Sequence, residues 1–224
     1  MNTKIRLIIT GTTGMVGEGV LHESINNSDV EAILIINRKK SGVTHSKVTE
    51  IIHSNFYDMS NIENSLKGYN TCFFCLGVSS IGMSEKEYTK VTYTLTMHVA
   101  QTLSRLNQEM KFCYISGAGT NSTEKGRSMW ARVKGKTEND LMMLPFSDVY
   151  AFRPGFIKPI KGLTKVHNFY KYINWIFPFG RAIYPAGFCR MTELGAAMMY
   201  VANHSYGKKV IDGKDIISIA ARQV

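Results

Sequence analysis

The chain has 224 residues, 44% of them hydrophobic and 20% charged, and carries a formal net charge of +10. Such a length and balance fit a folded α/β or similar domain with a core of its own, and they exclude collagenous, disordered and disulfide-scaffold classes. No run of eighteen apolar residues occurs, so no transmembrane segment is expected, and the basic residues are scattered beyond doublets such as Lys39-Lys40, which argues against dedicated nucleic-acid binding and for phosphorylated small molecules.

In chain order, apolar β-rich runs alternate with helical stretches. Strands are expected over 4–10, 31–36, 47–52, 71–76, 110–116 and 148–153, and a last one opens the tail 208–221. Helices are expected over 15–26, 85–106, 130–144 and 192–203, the last with Thr192 as N-cap. The stretch 155–165 reads as loop, and 167–178 is aromatic-rich and apolar nearly all round, as in a buried helix or an interface such as a homodimer contact. Strands that are near-continuous apolar runs, alternating with helices, imply a doubly wound, mainly parallel Rossmann sheet of about seven strands covered on both faces. Residues 1–224 are read as one domain, with 155–224 supplying most of a small C-terminal, substrate-side elaboration.

The opening MNTKIRLIIT lacks the apolar region and cleavage site of a signal peptide. Cys72, Cys75, Cys113 and Cys189 lie mostly in apolar runs, and strand alternation sends Cys72 and Cys75 to opposite faces. Both features fit buried thiols and a cytoplasmic location. Six scattered histidines give no metal-ligand spacing, so no metal is expected.

The sharpest motif is Thr10-Gly11-Thr12-Thr13-Gly14-Met15-Val16-Gly17, placed between an apolar strand and a helix. Gly11 permits the tight turn, Gly14 lets backbone approach a pyrophosphate, and Gly17 allows close helix–strand packing. The amides of the first helical turn and its positive dipole end then meet phosphates, with Thr12 and Thr13 as hydroxyl donors. Met15 and Val16 complete the cradle.

This GxxGxxG spacing resembles the short-chain dehydrogenase/reductase superfamily, in its extended or atypical branch of TGxxGxxG proteins that includes nucleoside-diphosphate-sugar epimerases and dehydratases. The resemblance covers nearly the whole chain and implies a nicotinamide dinucleotide. An acidic residue ending the second strand would bind the adenosine ribose of NAD. Here that strand ends Asn37-Arg38-Lys39-Lys40, with no carboxylate, and the planar fork of Arg38 suits a 2′-phosphate, favouring NADP(H) over NAD(H). The resemblance further places Asn55 and Phe56 at the adenine, with Asp58 as the alternative register, and Leu76 and Gly77 beside a ribose.

The superfamily's chemistry uses Ser or Thr after the fifth strand and Tyr-x-x-x-Lys on the next helix. Ser116 and Lys134 match as catalytic residues, with Lys134 also on the coenzyme, and Pro154, Gly155 and Ile157 match the segment that closes over the nicotinamide. Four residues before Lys134 stands Trp130, whose indole cannot serve as a proton-transfer acid. Three readings follow. The acid comes from Tyr184, Tyr93 or a water. Alternatively, hydride passes to a flavin or quinone-like acceptor that needs no strong acid. In the third, the protein holds NADP(H) without turnover as a sensor or binding partner, with Trp130 capping the pocket. The functional class implied is an NADP(H)-binding oxidoreductase or epimerase-like protein with an unassigned small-molecule substrate. On the substrate side, Lys125 and Arg127 stand in a polar loop able to meet a phosphate or carboxylate, or simply solvated.

Overall fold

The run IRLIIT at Ile5–Thr10 buries five of its six residues, as a strand covered on both faces must. In the computed structural model, which describes residues 4–160, 162–163 and 175–223, this is β1. It is followed by α1 (Met15–Asn26), β2 (Val30–Asn37), β3 (Val48–Ile52), α2 (Glu63–Leu66), β4 (Thr71–Phe74), α3 (Glu85–Thr89), α4 (Leu95–Leu106), β5 (Lys111–Ile115), α5 (Met129–Leu141) and β6 (Asp148–Arg153). Then come β7 (Phe156–Lys158), α6 (Ile176–Ile183), β8 (Phe188–Arg190), α7 (Met191–Asn203), β9 (Val210–Asp212) and α8 (Gly213–Ala220). Seven strands form one sheet in the order β3-β2-β1-β4-β5-β6-β9, and every pair is parallel. The expected doubly wound Rossmann architecture is therefore present, and strand order reverses between β1 and β4, where the carboxyl ends of the strands open a crevice.

Side-chain alternation divides the core into two layers. Leu7 and Ile9 pack with Val20, Leu21, Leu194, Met198 and Ile216 on one face. Ile8 packs with Phe74, Val99, Leu103, Phe112 and Leu141 on the other. Each such fully buried aliphatic contributes roughly 1.5–3 kcal/mol of apolar transfer. The cysteines follow the same alternation: Cys72 belongs to the second layer and Cys75 lies against the first. All four are free thiols, and burial pushes both Cys75 and Cys189 up to about 12.

The expected long helix over 85–106 starts on a capping box, in which Ser84 N donates to Glu87 Oε2 at 2.9 Å and Ser84 Oγ accepts from Glu87 N at 3.3 Å. Its middle, Lys90–Thr94, widens into a π turn. The local sequence Thr89-Lys90-Val91-Thr92 is rich in β-branched residues, which crowd an α-helical turn.

Two sequence expectations need correction. The stretch 155–165 is not all loop, because β7 pairs in parallel with β8, Ile157 opposite Cys189, a partnership that local pattern cannot reveal. Thr192 is not the cap of α7, which begins one residue earlier behind Arg190. Glu193 Oε2 reaches back to accept from Arg190 N at 2.8 Å, and the same carboxylate binds Arg181 at 2.8 Å. Most of the aromatic stretch 167–178 lies outside the described residues. Its end is α6, where Phe177 is buried against Phe156 and Phe188. Among the described residues no helix is long and apolar enough to cross a membrane.

Candidate functional site

The three glycines of the turn differ in what surrounds them. Gly11 has φ +76°, and a Cβ there would lie 2.8 Å from the Cys75 carbonyl. A Cβ on Gly17 would lie 2.2 Å from Gly11 O. Both are glycine because the chain packs on itself, and Gly11 thereby brings the β1 turn against Cys75-Leu76 at the end of β4. Gly14 is different. It is exposed, has ordinary extended backbone angles, and a Cβ would meet nothing nearer than Gly11 O at 3.5 Å. It occupies the N-cap of α1 without a side-chain cap, so the amides of Met15, Val16 and Gly17 begin a helix whose donors lack intrahelical acceptors. An open glycine over an uncapped helix N-terminus is a cradle into which a diphosphate fits.

Thr12 and Thr13 separate. Thr13 is exposed at the turn, whereas Thr12 is buried. Thr12 Oγ accepts from Asn37 Nδ2 at 2.7 Å, and Thr12 N donates to Asn37 Oδ1 at 3.2 Å. Asn37 Nδ2 also donates to Glu50 Oε1 at 2.9 Å, which takes a second bond from Ser41 N. This latch from β1 through β2 to β3 fixes the turn. Sequence reasoning missed Asn37 and Glu50; the available signal was a polar residue closing an otherwise apolar strand.

Beyond the β2 end, Arg38, Ser54, Phe56, Tyr57, Leu76, Gly77, Val78, Val91 and Leu95 line a cleft of about 190 Å³. Four residues expected to contact coenzyme, Arg38, Phe56, Leu76 and Gly77, thus share one wall. Arg38 is exposed. The π turn of the preceding section feeds Val91 into this cleft, and Tyr57 Oη donates to Lys90 O at 3.0 Å across it. Asn55 is exposed at the rim, with Oδ1 accepting from Tyr57 N at 3.1 Å, and Asp58 turns its carboxylate to Ser60 N at 3.0 Å. The Ser60 hydroxyl, and next that backbone bond, hold Asp58 below the usual carboxylate range.

At the other end of the crevice Ser116 is 4% exposed, and its hydroxyl donates to Phe152 O at 3.1 Å. Lys134 Nζ donates to the backbone carbonyl of Ser116. Desolvation lowers Lys134 to about 8 against an ordinary 10.5, partly offset by Glu138. Trp130 lies over Gly119, whose added Cβ would sit 3.1 Å from the indole. Tyr93 is turned away, its hydroxyl donating to Asp140 Oδ2 at 2.6 Å, and this bond raises its pKa. Tyr184 lines a separate cavity with Ala118 and Gly119. Pro154 O accepts from Ala118 N at 2.8 Å, Gly155 faces Gly187 O so closely that a Cβ would lie 2.3 Å from it, and Ile157 is a core residue. Lys125 and Arg127 are exposed in the β5–α5 loop.

The depressed Lys134 makes a pH prediction. Between about 8 and 10.5 the unfolded chain binds the proton that the folded chain has released, so this residue makes stability rise with pH across that window and contributes no slope below it. Thermal unfolding should therefore show Lys134→Met more stable than the unaltered chain at pH 7, with the gap narrowing by pH 10. A gap independent of pH would contradict the assignment.

Sequence reasoning also missed the ion pair beneath the site. Glu138, one turn after Lys134, is 1% exposed and holds Arg153 through Nε at 3.0 and 3.1 Å and through a terminal nitrogen. Arg153 also donates to Ser122 Oγ at 2.5 Å. The signal was a glutamate on the buried stripe of α5, between Thr137 and Leu141.

Known proteins resemble this arrangement. The model of the NAD dependent epimerase/dehydratase family matches residues 7–128. Protein FMP52-2, mitochondrial, of Scheffersomyces stipitis is 29% identical over 152 residues, 66% of this chain, and the chain spans only 65% of that relative's length. Protein FMP52, mitochondrial, of Saccharomyces cerevisiae is 25% identical over 229 residues, 96% of each chain. These names overturn the cytoplasmic location expected from the sequence, which rested on the lack of a signal-peptide pattern and on cysteine usage. Among solved structures, UDP-N-acetylglucosamine 4-epimerase from Methanobrevibacter ruminantium M1, in complex with UDP-N-acetylmuramic acid, superposes with a TM-score of 0.68 at 17% identity, covering 93% of this chain and 76% of that one. The Bordetella bronchiseptica enzyme WbmG, in complex with NAD and UDP, gives 0.67 at 13% identity over 99% and 79%. With more than half its length matched by the family model, and with the fold of nucleotide-binding Rossmann proteins, the chain belongs to the NAD dependent epimerase/dehydratase family.

Proposed function

We propose that this chain is an NADP(H)-binding protein of the oxidoreductase type, with the diphosphate on the Gly11–Gly17 turn and the adenosine half in the cleft of Arg38, Phe56, Leu76 and Gly77. The observation that carries this reading is Gly14. The protein itself gives no steric reason for glycine there, so the reason lies in what approaches from outside. Arg38 supplies the preference for the 2′-phosphate: it lines the cleft, while Asn37 binds the turn and one Glu50 carboxylate oxygen binds Asn37 and Ser41 N. A bound nicotinamide coenzyme supplies or takes up hydride. Lys134 and the Ser116 backbone fix the edge of the crevice at that end, and Trp130 closes it.

A second reading, binding without turnover, is favoured by two observations: the Ser116 hydroxyl is engaged with Phe152 O, and Trp130 stands where an ionisable tyrosine would. Arg38→Ala tests the coenzyme assignment. It should weaken NADPH binding by about 10- to 100-fold, the worth of hydrogen bonds to a charged group, and leave NADH nearly unchanged. Equal losses for both coenzymes in calorimetry would contradict the 2′-phosphate role.

A further inference from the structure

Resting on the coenzyme reading above, we propose that the cavity lined by Ala118, Gly119 and Tyr184 takes a flat, conjugated electron acceptor of the quinone class. The cavity has a volume of about 350 Å³ and is lined by Ala118, Gly119, Arg153, Tyr184, Ala186, Asp212, Gly213 and Lys214. Half of that lining is alanine or glycine. The Tyr184 ring, 62% exposed, forms an aromatic wall and is braced against Gly187. Small residues on one side and an aromatic ring on another leave a slot for one or two fused rings, at the lower end of ligand-pocket volumes. The Trp130 indole lies against Gly119, one of the lining residues.

The chemistry of the surrounding groups points the same way. Reduction of an ordinary carbonyl makes an alkoxide, whose conjugate acid is about as weak as water, so it needs an acid held against the oxygen. The Ser116 hydroxyl and Tyr93 are engaged elsewhere, Trp130 cannot ionise, and the one phenol on the wall is Tyr184, whose hydroxyl the Tyr184→Phe variant below separates from its ring. A quinone instead yields a phenolate, with a conjugate acid near 10 as for tyrosine, which water protonates. In the balanced step one quinone oxygen bonds the hydride from the reduced coenzyme, the other becomes a phenolate and takes a proton from water, and quinol, oxidised coenzyme and hydroxide leave. Of the two cations on the cavity wall, Arg153 is already paired with buried Glu138, so Lys214 is the one that favours the anion. Arg153 is fixed through Nε and one terminal nitrogen by Glu138 and Ser122. Lys214 is exposed and in no ion pair among the described residues. Asp212, on the same wall, spends one carboxylate oxygen on the amides of Lys214 and Asp215 at 2.9 and 3.2 Å.

The test uses 2-methyl-1,4-naphthoquinone on the full chain carrying Trp175→Phe, which leaves Trp130 as its one tryptophan. Saturable quenching of Trp130 emission is expected, with or without coenzyme. Ala118→Phe should abolish it while melting at an unchanged temperature, and Lys214→Ala should lower NADPH-dependent quinone reduction about fivefold, the upper worth of an exposed charge. Tyr184→Phe should keep that activity and Tyr184→Ala should lose it. Unsaturable quenching in a chain that binds NADPH calorimetrically overturns the quinone site alone. Loss of activity in Tyr184→Phe also overturns it, because the hydroxyl would then be acting as an acid. Failure to bind NADPH overturns the coenzyme reading and this proposal together.

Discussion

Gly14→Ala is expected to leave the unliganded chain as stable as before, or slightly more stable, and to lower dinucleotide affinity by at least about tenfold. The backbone at Gly14, φ −106° and ψ 162°, suits any residue, and the nearest protein atom to an added methyl is 3.5 Å away. Alanine in a compatible conformation stabilises by about 0.4–1 kcal/mol through the unfolded state. In the proposed complex the same methyl would stand where phosphate oxygens approach the amides behind it. Gly17→Ala is the contrasting case. Its methyl would lie 2.2 Å from Gly11 O, a backbone atom that cannot swing aside. It should cost about 3 kcal/mol, the upper end for overpacking, and lose binding only because the turn is displaced. Melting curves and calorimetry on both variants separate a glycine kept for a ligand from one kept for packing. Parallel losses of stability in the two would contradict the distinction.

Glu138→Ala is expected to destabilise by about 3–5 kcal/mol, because it strands a partly buried guanidinium whose partner has gone. Glu138 is almost wholly buried and Arg153 is 17% exposed at its side chain. The pair joins α5 to the end of β6, next to Pro154, so its loss also loosens the crevice edge. Replacing both members, Glu138→Leu with Arg153→Met, should recover part of the loss, since an apolar pair of similar volume carries no desolvation cost. The carboxylate also raises Lys134 from one helical turn away. Glu138→Gln should therefore move the Lys134 titration further down, readable as a shift of the stability–pH slope to lower pH. A double variant no more stable than Glu138→Ala would show that the charge itself, and not the pairing, is what α5 needs.

Much of the fold was legible because its signals are local. Apolar runs at β1, β2, β5 and β6 and the glycine turn before α1 need only a few neighbouring residues to be read. What escaped depends on contacts distant in sequence. The β7–β8 pair joins Phe156 to Phe188. The cap of α7 depends on Glu193, which reaches back to Arg190 and across to Arg181. The π turn was invisible because α-helix periodicity survives on both sides of it; Tyr93, within it, donates to Asp140. At the site, the spacing of Ser116, Trp130 and Lys134 came from resemblance to a family pattern. Only the three-dimensional arrangement shows the Ser116 hydroxyl turned to β6 and the Asn37 latch behind Thr12. Both are hydrogen bonds between elements, which no window of sequence contains.

Calorimetric titration of the full chain with NADPH, NADP⁺, NADH and NAD⁺ measures the central claim most directly. Saturable binding at one site per chain, tighter for the two phosphorylated coenzymes, is the result the geometry of Gly14 and Arg38 predicts. No heat with any of the four would contradict it.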